Sequence, residues 1–87
     1  MVTKASIFEH LIEPQRGNLS REVAQYILSW NFPPDDHARY EVLSEKAQEG
    51  SLTPDERVEI EDYLAVDNFL AILQTKARTS LAQADVR

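Results

Sequence analysis

After Pro54 the chain contains no further proline or glycine. That absence constrains the fold more than any other feature of the sequence. Thr53-Pro54-Asp55-Glu56 reads as a helix start. The Thr53 hydroxyl can accept from the amide of Glu56, and the Glu56 carboxylate can reach back to the amide of Thr53. Pro54 takes the first helical position, where no amide donor is needed. With nothing to stop it, the pattern predicts one helix from Pro54 to about Ala82, on the order of 40 Å long. Tyr63, Val66, Leu70, Leu73 and Ala77 step along it by threes and fours, a heptad-like seam. Ile60, Leu64, Phe69, Ile72 and Leu81 fall beside or opposite that seam. The C-terminal half is therefore apolar on more than one face, the pattern of a helix covered from several sides.

Three shorter helices are predicted ahead of it. The first spans Thr3 to Glu13, with Ile7, Phe8, Leu11 and Ile12 as its apolar stripe and Pro14 as its stop. Gln15 to Leu19 forms a loop around Gly17 and Asn18. Ser20 then caps a second helix, Arg21 to Asn31, with Leu19 and Ala24 at the staple positions and Val23, Tyr26, Ile27 and Trp30 on one face. Phe32-Pro33-Pro34 interrupts the chain. Pro34, Asp35 and Asp36 suit the first turn of a third helix, Tyr40, Leu43 and Ala47 form its inner face, and Gly50 ends it. Trp30, Phe32, Tyr26 and Tyr40 read as core aromatics.

A chain of 87 residues without cysteine is one small domain that no disulfide or thiolate metal site can staple. The start, Met1 to Ser6, lacks a signal-peptide pattern, because the apolar run after Lys4 is broken by Glu9 and His10. No apolar stretch approaches the ~20 residues of a membrane span. The expectation from both points is a cytoplasmic chain. Its net charge is −6, and the acid is concentrated. From Asp35 to Asp67 eleven acids face three bases, Arg39, Lys46 and Arg57, a local charge of −8. Such a segment disfavours direct nucleic-acid binding, which depends on Lys and Arg. It is either a solvated surface or a face complementary to a basic partner. Lys76 and Arg78, with Arg87, make a basic end, and the macrodipole of the last helix accounts for the first two.

No enzyme pattern is present. His10 and His37 fall on different short helices without a second histidine at ligand spacing. Glu59 with Asp62, and Glu41 with Glu45, share helix faces, but carboxylate chemistry needs a cleft and shifted pKa values. Neither a nucleophile elbow nor a glycine-rich phosphate loop occurs. One metal reading can be laid on the residues. In a calcium loop running from Glu45 to Glu56, Gly50 takes the turn, Leu52 the apolar position, and Glu45, Glu49 and Glu56 supply carboxylates. Ala47 at the third position cannot ligate, and the first position is Glu rather than Asp. The capping box and the helix stop already explain Thr53, Glu56 and Gly50, so a hairpin without an ion is the better reading.

Ile12-Glu13-Pro14, Leu19-Ser20, Glu49-Gly50-Ser51-Leu52-Thr53-Pro54-Asp55-Glu56 and Asp67-Asn68-Phe69-Leu70-Ala71-Ile72-Leu73-Gln74-Thr75-Lys76-Ala77-Arg78 resemble stretches of a group of small bacterial all-helical proteins of uncharacterised function. The resemblance covers most of the chain, and its last stretch is the most distinctive. Proteins of this group can be encoded beside HNH-type nucleases, so the resemblance implies an antitoxin-like or accessory role. Pro33 stands where a stronger N-cap such as serine is expected.

The expected fold is all-α: three short helices packed on one long C-terminal helix, a single domain over 1–87, with 1–14 accessory and 83–87 a frayed tail. The expected function is protein–protein interaction without catalysis, cofactor, nucleic acid or membrane. Tyr63, Val66, Phe69, Leu70, Leu73 and Ala77 are the candidate partner-binding residues, with the acids from Asp55 to Asp67 steering association. The alternatives are the calcium-responsive hairpin and a purely structural homodimer.

Overall fold

The computed structural model of the chain describes residues 2–85. Four helices follow in order: α1 (Lys4–Ile12), α2 (Arg21–Leu28), α3 (Pro34–Glu49) and α4 (Pro54–Asp85). The architecture is the expected one, with the long last helix contacting the other three. Among the described residues no helix is long and apolar enough to cross a membrane. The helix starts follow the local chemistry. Thr3 and Ser6 form a reciprocal capping box at α1, and the Ser20 hydroxyl accepts from the amide of Val23 at α2. The amide of Glu56 donates to the Thr53 hydroxyl at 3.1 Å, and the amide of Thr53 donates to the Glu56 carboxylate at 3.0 Å. Pro33 makes no side-chain cap, and α3 starts instead on Pro34 with Asp35 and Asp36 in its first turn. Gly50 closes α3 at φ 70°, where a β-carbon would be strained.

The chain forms two compact units, each containing a part of α4. The first unit holds α1, α2 and α4 from Asp67 onward. Ala24, Ile27 and Ala77 make its buried cluster, with Leu19, Leu28, Leu73 and Leu81 packed around it. Phe69 of α4 packs on Phe8 of α1, with ring centroids 5.0 Å apart. Three polar side chains of α4 hold backbone groups of the other elements. Gln74 donates to the carbonyls of Ile27 and Trp30 at the end of α2, at 3.2 and 3.0 Å. Lys76, only 8% exposed, donates to the carbonyls of Ile12 and Glu13 at the end of α1, at 2.5 and 3.3 Å. The buried Ser80 hydroxyl accepts from the amide of Leu19 at 3.1 Å. The loop at Gly17 approaches so closely that a β-carbon there would lie 2.9 Å from the carbonyl oxygen of Thr79.

The second unit, Asn31–Val66, pairs α3 with the start of α4. Leu43 is its fully buried side chain. In the same unit Tyr63 meets Tyr40 and Phe32 edge-on at 6.0 and 5.9 Å.

Several expectations are corrected. α4 continues past Ala82 to Asp85 without a break at Asp67-Asn68, so 83–85 are helical, while 86 and 87, including Arg87, lie outside the described residues. α2 ends at Leu28 rather than Asn31: the Ser29 amide and hydroxyl donate to the carbonyl of Tyr26, the Trp30 amide closes a last turn on Ile27, and Gln74 donates to the carbonyls of Ile27 and of Trp30 beyond the helix. Ile7, Leu11, Val23, Tyr26 and Trp30 are exposed. On α2 the inward stripe is Ala24 and Ile27, since small residues let two helices approach and the bulky rings are left outside. Ala47 is also exposed, while Tyr40 and Leu43 lie on the covered side of α3 as expected, with Asp36, Arg39 and Lys46 beside them. Lys76 serves the end of α1 and not the end of its own helix.

Candidate functional site

The candidate partner-binding residues of α4 separate by unit. In the first unit, Ala77 is fully buried and Leu73 packs on the same cluster. Ala77 therefore cannot anchor a partner; the chain's own helices already cover it. Phe69 is engaged with Phe8, and Leu70 is half-buried. In the second unit, Tyr63 is half-buried, and Val66 is 51% exposed.

The backbone from Glu45 to Glu56 is not one continuous loop. Residues 45–49 belong to α3 and 54–56 to α4, so only 50–53 lie outside helix. Glu45 and Glu49 are exposed on α3. Glu56 is held by its own cap and by Lys46, whose Nζ donates to it at 2.6 Å. Among the described residues, no three His, Asp or Glu side chains come together as a metal site.

The feature that sequence reasoning did not assemble is a cleft of about 280 Å³ in the second unit, lined by Phe32, Asp36, Glu59, Asp62, Tyr63 and Val66. Four of these stand on α4 at successive helical steps, 59, 62, 63 and 66, which places them on one face. Asp36 comes from the first turn of α3, and Phe32 from the segment before it. Pro33 biases Phe32 away from helix, and that holds the ring outside α3 against Tyr63. The phenol of Tyr63 donates to Asp36 at 2.7 Å. This bond, to an acceptor that a phenolate would repel, holds the Tyr63 hydroxyl above its ordinary pKa. The spacing of Glu59, Asp62, Tyr63 and Val66 was visible in the sequence. The return of Phe32 and Asp36 to the same place required the α3–α4 pairing.

Beside the cleft runs a charge network. Arg39 binds Glu59 through two parallel contacts of 2.8 Å and lies 3.7 Å from Glu56. The fork geometry suits a guanidinium, and the contact with Glu59 raises the Arg39 pKa. Glu59 is lowered by the same hydrogen bond. Glu56 is lowered to about 2, first by Lys46 and then by the amide of Thr53. Both carboxylates are more acidic in the folded state, so their contribution to stability is complete above the ordinary value of 4.5 and is lost on acidification, for Glu56 as the pH falls toward about 2. Melting temperature measured across that window should therefore fall on acidification. Glu56→Gln should flatten the fall, and parallel curves for the two proteins would refute this account. The difference between the two is the informative quantity, because protonation of unpaired, mutually repelling acids acts in the opposite direction.

Compared with protein-family models, curated proteins and solved structures, the chain gives no match.

Proposed function

We propose that this chain is a cytoplasmic, non-enzymatic interaction module whose acidic unit binds a basic protein, such as a nuclease, in an antitoxin-like or accessory role. One observation carries the reading. Glu41, Glu45, Glu49, Asp55, Glu61 and Asp62 are exposed on the 31–66 unit, and no ion pair holds them among the described residues. The bases of that unit near the network are already taken by Glu56 and Glu59. Unpaired charge of one sign accelerates encounter with a partner of the other. Val58, Leu64 and Val66 are exposed within the same unit and supply apolar contact.

Capture of the tagged chain from its native cells at low salt, followed by mass spectrometry, tests this. The expected result is one stoichiometric basic partner whose association slows steeply as salt rises from roughly 50 to 500 mM, as screening shortens the reach of the charges. A flat association rate over that range removes the steering, and recovery of the chain alone removes the partner.

A second reading, a structural homodimer, rests on the exposed apolar side chains of the other unit: Ile7, Leu11, Val23, Tyr26 and Trp30. Apolar side chains of this size left in water mark self-association when they are contiguous. Sedimentation equilibrium of the purified chain distinguishes a dimer from a monomer directly.

A further inference from the structure

We propose that the cleft lined by Phe32, Tyr63 and Val66 receives an arginine side chain of the basic partner. This rests on the reading of the acidic unit as the binding face, and it names the group that the face recognises. The walls are largely apolar and aromatic, and the carboxylates stand among them. Two of the three carboxylates are committed: Asp36 accepts from Tyr63, and Glu59 is paired with Arg39. Asp62 is exposed, and no bond or ion pair within the described residues engages it. It is the acid left to meet an incoming cation.

The combination selects among occupants. A purely apolar side chain would cover the rings but strip water from Asp62 without replacing it. An ammonium is compact and strongly hydrated, and it uses an aromatic wall less well. A guanidinium is flat and weakly hydrated, stacks on ring faces, and donates in a fork to a carboxylate. Its aliphatic stem can lie along Val66. The surrounding unit, Asn31–Val66, carries ten acids and three bases, so the charge of the approach matches as well. A volume of about 280 Å³ open to solvent takes one long side chain and not a folded segment.

The test uses the full chain with hexa-arginine and hexalysine as probes, followed by amide NMR titration. Hexa-arginine is expected to shift the resonances of residues around 32, 36, 62, 63 and 66 and to bind about 2–5-fold tighter than hexalysine, the scale of an exposed cation–ring contact. Asp62→Arg places a guanidinium at the cleft from the chain itself and should weaken hexa-arginine at least about tenfold. Glu45→Arg makes the same charge change on α3 outside the cleft and should weaken it only about 2–3-fold. Circular dichroism of both variants establishes that α4 and α3 are intact. Equal losses in the two variants, or equal binding of the two peptides, overturn the arginine cleft and leave diffuse attraction by the acidic face standing. Absence of peptide binding, while the salt-sensitive native partner is still captured, overturns the cleft alone. If that partner is also missing, the reading of the acidic unit falls with it.

Discussion

Leu43→Ala is expected to cost about 2–5 kcal/mol of stability and to lower the melting temperature by more than about 10 °C. Leu43 is fully buried, and the other apolar groups of the 31–66 unit are half-buried or exposed. Tyr63 is engaged edge-on by both Tyr40 and Phe32, and moving a ring to fill the space of three missing carbons would give up those contacts. A small domain commands about 5–15 kcal/mol in total, so the loss is a large share of it. Thermal unfolding followed by far-ultraviolet circular dichroism reads the effect. A drop of less than about 3 °C would mean that the α3–α4 pair is held by its charge network, Arg39–Glu59 and Lys46–Glu56, rather than by its one core side chain.

Lys76→Met should release α1 while leaving the rest of the fold in place. No residue of α1 is buried, so this nine-residue helix is too short to persist alone. It depends on the Phe8–Phe69 contact and on the ammonium of Lys76 at its C-terminal carbonyls. That end is already unusual, because Glu13 adopts φ 54°, a left-handed conformation that costs a non-glycine residue energy, although the following Pro14 favours extended backbone there. Methionine keeps most of the stem and removes the donor. The carbonyls of Ile12 and Glu13 then lose a charge-assisted partner, at a cost of about 1.5–3 kcal/mol. Hydrogen exchange of the amides from Phe8 to Glu13 should accelerate, with protection of α2 and α4 retained. Unchanged protection in α1 would show that the aromatic contact suffices.

What was legible in the sequence was local. The capping box at Thr53, the serine cap of α2, the proline start of α3 and the glycine stop at Gly50 involve residues a few positions apart, and each stands where the pattern placed it. Which face turns inward was not legible where large and small apolar residues compete. In and just after α2 hydrophobicity favours Tyr26 and Trp30, yet the fully buried residue is Ala24, in a cluster with the equally buried Ala77. Close helix approach rewards the small side chain, and that reward depends on the partner helix. The polar grips of Gln74, Lys76 and Ser80 were hidden for a related reason. Their acceptors and donors lie between 44 and 64 residues away in sequence, and nothing near them announces the pairing. The cleft belongs to the same class: its α4 face followed from spacing, while Phe32 and Asp36 joined it only through tertiary pairing.

Trp30 is the only tryptophan of the chain, and it belongs to the unit of α1 and α2. It lies edge-on to Tyr26 at 5.8 Å, half in water, and its carbonyl is held by Gln74. The 31–66 unit contains Tyr40 and Tyr63 and no tryptophan. The protein thus carries a spectroscopic label on one half and a different one on the other. Indole emission follows the docking of α2 on α4, while tyrosine signals, after allowance for Tyr26, follow the cleft and its surroundings. Denaturation watched at both wavelengths reports on two regions of a single unmodified molecule, and coincident or separated transitions read out directly whether the two halves melt as one.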